Sequence, residues 1–308
     1  MRERDRGNRY VIPALVLLSF VTIYPVFYVF YLSLQRRLLI FDISRFAGFG
    51  NYLFLLSDER FWNALKNTAY FTALSVSLEL LLGLAIALLL NRPFRFRGGI
   101  RAIVLVPWAI PTVVSAKMWE WIYNTDFGIL NYLIGSKINW LGSPFWAMNA
   151  AVFMDVWKTT PFVAILLMAG LQVIPQDLYQ AARVDGAWSW FIFRRITLPL
   201  LKPVILVVLI FRTLDAFRVF DAVYVLTGGG PANTTETLSI YAYKVLFQTL
   251  QFGYGSTLSV VVFLCTGAIS VFYIKLLSRG MRQRDRNVPP IDRGDIPVPP
   301  AREIQVKQ

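Results

Sequence analysis

Six long apolar runs separated by polar stretches set the pattern of this chain. They lie at about 11–34, 68–90, 102–123, 149–174, 203–226 and 256–277. Each is long enough for a helix to cross a hydrocarbon core of roughly 30 Å. The strict alternation of a barrel strand is absent, and backbone groups in lipid must pair within their own segment, so the runs read as helices. The pattern predicts an all-α, polytopic membrane protein with six transmembrane helices over residues 11–280. A short charged segment, 1–10, precedes them. The first run has no A-x-A-like cleavage site and is longer than a signal-peptide core. Pro13 and Pro25 are candidate kinks within it, and Pro107 and Pro111 lie near the start of the third run. The tail, 281–308, is charged and carries Val288-Pro-Pro and Val298-Pro-Pro, which predicts disorder.

Composition supports the membrane reading. The 308 residues are 56% hydrophobic, with a mean hydropathy of +0.53, against the ~45–50% apolar content of soluble domains. A net charge of +13 would suggest a nucleic-acid partner in a soluble protein. Here the basic residues flank apolar spans, so contact with a lipid bilayer accounts for them and no nucleic acid is implied. The amino terminus, the 91–101 loop with four arginines, the 175–202 loop and the carboxyl tail are basic. The 124–148 and 227–255 loops are poor in Lys and Arg. These groups alternate, which predicts that both termini are cytoplasmic. The first external loop is the exception, with Arg36, Arg37, Arg45 and Arg60.

Several chemistries are excluded. There is no histidine and one cysteine, Cys265, so His-based catalysis, His metal ligation, an intrachain disulfide and a Cys-rich metal site are ruled out. No G-x-x-x-x-G-K-[ST] phosphate loop occurs. Gly228-Gly-Gly lacks its lysine and reads, with Pro231, as a tight external turn. No catalytic residues and no metal ligands are expected.

Between the fourth and fifth runs lies Tyr179–Pro199, the longest amphipathic charged stretch between strongly apolar ones. Ala181 and Ala182 allow close helix approach, and Gly186 suits a helix C-cap or sharp turn. Pro199 and Pro203 bracket the start of the next run. On these features alone, an ordinary interfacial helix held by Trp188, Trp190, Arg194 and Arg195 is the alternative.

Gln180-Ala-Ala-Arg-Val-Asp-Gly186, nine residues, then Ile196-Thr-Leu-Pro199 resembles the EAA loop of ATP-binding cassette importer permeases. Phe211–Pro231, Thr234-Thr-Glu-Thr237, Tyr241-Ala-Tyr243 and Asp155-Val-Trp-Lys-Thr-Thr-Pro-Phe162 resemble the first permease of carbohydrate importers of the maltose, trehalose and glycerol-3-phosphate type. The resemblance spans nearly all of 10–280. It implies a type I ABC importer permease fold and a multi-pass subunit of a prokaryotic inner membrane. It also implies a second homologous permease, two ATPase subunits that bind ATP and magnesium, and an extracytoplasmic sugar-binding protein. The chain itself would hold no cofactor and would be no enzyme. The ATPase-coupling residues implied are Gln180, Ala181, Ala182, Asp185, Gly186, Ile196 and Pro199. The family usually has Glu where this chain has Gln180, which puts an ion pair from that position in doubt.

Polar residues inside spans are costly and mark candidate solute contacts. These are Asp155, Trp157, Lys158 and Thr159 in the fourth run and Arg212, Asp215, Arg218, Asp221 and Tyr224 in the fifth. Arg212, Asp215, Arg218 and Asp221 recur at i, i+3, so each pair is adjacent on a helix. Carboxylates, cations and aromatics together suit a neutral polyhydroxylated ligand, and the resemblance over 155–162 and 211–227 implies a trehalose- or maltose-like α-glucoside. The same pairs are equally compatible with holding helices together. Glu79 and Glu120 read as packing or interface residues. Glycerol-3-phosphate remains an alternative, because Arg212 and Arg218 would meet an anion. An ion-coupled secondary carrier is a further alternative, disfavoured by the 179–199 loop and the lack of a visible inverted repeat.

Overall fold

The structure, a computed structural model, describes residues 2–93 and 95–286. The tail expected to be disordered lies, from 287 on, outside the described residues. Its first six residues, 281–286, belong to the last helix instead.

Helix α1 (Arg2–Ser33) leads into a two-stranded antiparallel ribbon, β1 (Gln35–Leu38) and β2 (Ile43–Phe46). Thus the amino-terminal segment is already helical, and the first loop holds strands that an all-α reading omits. A short helix α2 (Gly50–Ser57) follows, then α3 (Glu59–Asn91). Asp58 caps α3 by accepting from the Arg60 amide at 3.0 Å, so the second span begins nine residues before the apolar run. Aspartate is a favoured N-cap because it satisfies an orphan amide.

The third run is not one helix. It is α4 (Arg97–Ala109) and α5 (Thr112–Ile122), bent by 92°. Pro111 lacks an amide proton and drives Ile110 into extended backbone (φ −73°, ψ 134°), which ends α4. A small helix α6 (Ile129–Ile134) precedes α7 (Pro144–Gln172). Then come α8 (Gln176–Val184), α9 (Ser189–Ile192), a π-helical turn (Phe193–Thr197) and α10 (Leu198–Phe217). Residues 189–217 form one continuous span. Pro199 and Pro203 therefore lie inside it and do not bracket its start. The chain breaks at Arg218–Phe220, and α11 (Asp221–Thr227) begins anew. The predicted span to 226 is corrected accordingly. After α12 (Leu238–Tyr243) and a second π-helical turn (Lys244–Gln248), α13 (Phe252–Arg286) closes the chain.

Side-chain pairing fixes the directions. Tyr70 meets Asn149 at 2.9 Å, Thr159 meets Glu79 at 2.6 Å, and Gly83 abuts Val163. The near-constant residue offset makes α3 and α7 parallel. The bent pair α4–α5 must therefore carry the chain back across the bundle, as a broken span. Gly170 abuts Leu201 and Val204, so α10 returns antiparallel to α7. Five long helices and one broken pair give six crossings by length and composition. Helices α1 and α13 are mostly exposed along their apolar windows, only 6% and 17% buried, whereas α7 is 67% buried. Helix α7 is thus the core element, and α1 and α13 present their apolar faces outward.

Candidate functional site

Two features stand out, a polar cavity among the spans and a glycine elbow at one end of the bundle. The cavity, about 760 Å³ and open on one side, lies where α4 breaks and α10 ends. Trp108, Ala109, Ile110, Pro111 and Thr112 form one wall; Asp155, Lys158 and Thr159 of α7 form the second. Residues 215, 216 and 218–222 form the third. Each wall is supplied by a helix interruption or by the buried face of α7, which is where backbone polar groups become available at depth.

Behind the cavity sits Arg212, 3% exposed. Its Nε and Nη2 donate to both oxygens of Glu79, at 2.5 and 2.7 Å. Nη2 also donates to Asp155 at 3.1 Å and Nη1 to Asp215 at 2.5 Å. Thr159 donates to the same Glu79 carboxylate at 2.6 Å. One guanidinium thereby joins α3, α7 and α10. Asp215 is two-thirds exposed and lines the cavity while also meeting Arg212. Lys158 donates its Nζ to the Ile110 carbonyl, the group left free where α4 ends.

Of the residues singled out above, Asp155, Lys158, Thr159, Asp215, Arg218 and Asp221 come together on the cavity lining. Arg212 is behind it. Trp157 is half-buried and packs edge-on against Trp119 at 5.5 Å, at the margin of the apolar core. Tyr224 stacks on Phe220 at 5.0 Å and meets Tyr243 at 5.1 Å, forming an aromatic wall beside the cavity. The i, i+3 series is broken: Asp221 is on α11, and the Arg218 Nε donates to the Leu214 carbonyl at 3.0 Å. Glu79, read from sequence as a packing residue, is the main partner of Arg212. Its signal was available, since a lone carboxylate in an apolar span needs a buried cation. Trp108, Ile110 and Phe220 went unread, because they become lining only where helices stop. Glu120 pairs with Lys117 at 2.6 Å, one turn away on α5.

At the end reached by α7, α8 and α9 meet at Gly186. Its φ is +80°, a conformation that costs non-glycine residues steric energy. The Gly186 amide reaches the Arg183 carbonyl at 3.1 Å and the Ala187 amide reaches the Ala182 carbonyl at 2.9 Å. This is a Schellman termination of α8. Ala182 is buried, while Gln180, Ala181 and Asp185 are exposed beside Val184 and Trp188. A groove of about 630 Å³ runs between the two helices, lined by Ala181, Ala182, Asp185, Gly186 and Ile196 among others. Pro199 is exposed farther along the span.

At the opposite end, Glu236 is fully buried between Arg60 (2.7 Å) and Lys244 (2.9 Å). Burial alone would raise its carboxyl. The hydrogen bonds and charges of Arg60 and Lys244 outweigh that and hold it below the usual carboxylate range. The turn at Gly228–Pro231 is present, with Gly228 and Gly229 at φ +62° and +88°. Among the described residues no acidic, Cys or His cluster suits a metal ion.

Broken spans around a polar cavity, with a glycine-elbowed helix pair at one end, form a type I ABC importer permease fold. A chain of a bacterial ABC transporter involved in the import of the acidic polysaccharide alginate superposes with a TM-score of 0.79. The alignment covers 90% of this chain and 96% of that one at 23% identity. The chain belongs to the family of binding-protein-dependent transport system inner membrane components, matching it over residues 79–283. It is similar to the trehalose/maltose transport system permease protein MalF of Thermococcus litoralis, 46% identical over 89% of this chain and 94% of that protein. It is also similar to the trehalose transport system permease protein SugA of Mycobacterium tuberculosis, 43% identical over 90% of each.

Proposed function

We propose that this chain is half of the translocation pathway of an ATP-driven importer for a neutral oligosaccharide, with a trehalose- or maltose-like α-glucoside favoured. The observation that carries the reading is the cavity at the α4–α5 break. Its exposed carboxylates accept hydroxyl protons, Lys158 and Arg218 donate, and Trp108 and Phe220 offer faces to a pyranose ring. The two sequence relatives, named for trehalose/maltose and trehalose transport, support the same class of solute. A phosphorylated solute such as glycerol-3-phosphate is disfavoured, because Arg212 is buried and already opposed by three carboxylates. The aspartates on the lining would repel an anion.

In this reading both termini and the α8–α9 elbow face the cytoplasm of a prokaryotic cell. The elbow docks on an ATPase subunit, a second permease completes the pathway, and a receptor delivers sugar to the opposite end. ATP and magnesium are held by the ATPase partners. ATP-driven closure moves α8 and α9, and the π-helical turn passes that motion into α10, whose far end shapes the cavity. The Gln180 side chain makes neutral hydrogen bonds at the position where the family usually has Glu.

The test is uptake of labelled trehalose, maltose and glycerol-3-phosphate by the complex reconstituted with its partners. Wild-type protein is expected to take up one of the disaccharides. Asp215→Asn and Phe220→Ala are expected to raise the half-saturating concentration at least several-fold. Preference for the phosphorylated solute would overturn the proposal.

A further inference from the structure

The β1–β2 ribbon carries charges that the transport reading does not use. Arg36 stands directly opposite Arg45 across the ribbon, and both are exposed. Like charges at such positions repel. Among the described residues neither forms an ion pair, although Asp42 lies in the connecting turn. Arg37, the next residue, reaches only the Tyr28 hydroxyl, at 3.4 Å. Arg60, the fourth arginine of this loop, is by contrast consumed by Glu236.

The ribbon is as apolar as it is basic. Leu39, Ile40 and Phe41 at its turn, and Phe46 at its end, are all at least half exposed. An exposed apolar ribbon is an aggregation hazard in water. This ribbon, however, follows directly from α1 and packs on α13, the two helices whose apolar faces are most exposed. It therefore sits at the level where those faces end, at the end of the bundle opposite α8 and α9. A cavity of about 650 Å³ opens beside it, lined by Arg36, Arg37, Phe41, Phe54 and Tyr254 among others.

We propose that this ribbon is a phospholipid-headgroup site selective for anionic lipid. Arg36 and Arg45 flank a phosphodiester and relieve their mutual repulsion, and Arg37 lines the pocket that takes the rest of the headgroup. Guanidinium groups donate paired hydrogen bonds to phosphate oxygens. Leu39, Ile40, Phe41 and Phe46 enter the acyl boundary, as aromatic and aliphatic residues do at membrane interfaces. The apolar tip selects lipid over an acidic protein surface, which would satisfy the arginines and leave that tip in water.

The full chain, purified in mild detergent and stripped of lipid, is titrated with phosphatidylglycerol and with phosphatidylcholine, and retained lipid is counted by native mass spectrometry. Wild-type protein is expected to retain at least one phosphatidylglycerol per chain and to prefer it to phosphatidylcholine. Arg36→Gln/Arg45→Gln is expected to bind it about tenfold more weakly. Should that variant not fold, Phe41→Ser/Phe46→Ser is read instead, with loss of retention again expected. Unchanged phosphatidylglycerol binding in the folded variant overturns the proposal. Displacement of the lipid by millimolar inorganic phosphate overturns the lipid as occupant, since a plain anion would then suffice. Loss of receptor docking with lipid retention intact overturns it in favour of a protein partner.

Discussion

A guanidinium taken out of water costs several kcal/mol unless its donors find acceptors. Arg212 satisfies that requirement with Glu79, Asp155 and Asp215, drawn from α3, α7 and its own helix. Removing it leaves two buried carboxylates facing each other without a cation. Arg212→Gln is expected to lose about 3–5 kcal/mol, the range for breaking a buried ion pair, as read by chemical unfolding in mild detergent. Arg212→Gln/Glu79→Gln is expected to recover part of that loss, because one uncompensated charge is gone. A single variant as stable as wild type would show that Arg212 is not the tie between the three helices. The existence of a buried pairing was legible at the sequence level, since charges in apolar runs must be neutralised. Its partners were not: Glu79 is 133 residues away, and helical spacing reaches only one turn.

Among the elements, the α8–α9 elbow and the two span breaks differ in how much local sequence reveals. Gly186 announces its turn because a glycine between two amphipathic segments has few other uses. The break at Pro111 was half visible, since a proline in an apolar run points to an interruption, but the 92° angle and the Lys158 hydrogen bond to the Ile110 carbonyl are not encoded in local spacing. The break at 218–220 has no Gly or Pro signal, so the apolar run and the helix diverge there. The ribbon is too short to register against helix-length windows. At Gly186 an added Cβ would meet nothing within 4 Å, so the backbone alone sets the cost. Gly186→Ala is expected to lose about 1–2 kcal/mol through left-handed strain and to keep most ATP-driven uptake. Gly186→Pro cannot adopt φ +80° and forces a different elbow. It is expected to abolish uptake in the reconstituted complex while sugar still protects the cavity from labelling. Full uptake by the proline variant would exclude the elbow as the coupling device.

At the scale of the whole molecule, the fold rests on charge nodes that join distant parts of the chain. One lies at depth around Arg212, and one lies at the ribbon end around Glu236. Counting Lys and Arg by loop gave the alternation of spans, yet left the first loop as an exception. One of its four arginines is accounted for physically, since Arg60 is neutralised by Glu236 within the protein, whereas Arg36, Arg37 and Arg45 form no ion pair among the described residues. Glu236 binds Arg60 from the start of α3 and Lys244 after α12, so it ties the 228–248 segment to the second span. Because its carboxyl is held below the ordinary range, the folded state binds fewer protons than the unfolded one. This contribution is fully present above the ordinary glutamate value of about 4.3 and is lost as pH falls through the lowered folded value. Wild-type stability is therefore expected to decline below about pH 4.3. Glu236→Gln should be less stable at neutral pH, where Arg60 and Lys244 are left without their carboxylate. Its further decline in acid should be shallower, because the group that protonates is absent. Thermal unfolding of both proteins between neutral and acid pH measures this difference, and parallel curves would show that the node does not carry the acid sensitivity.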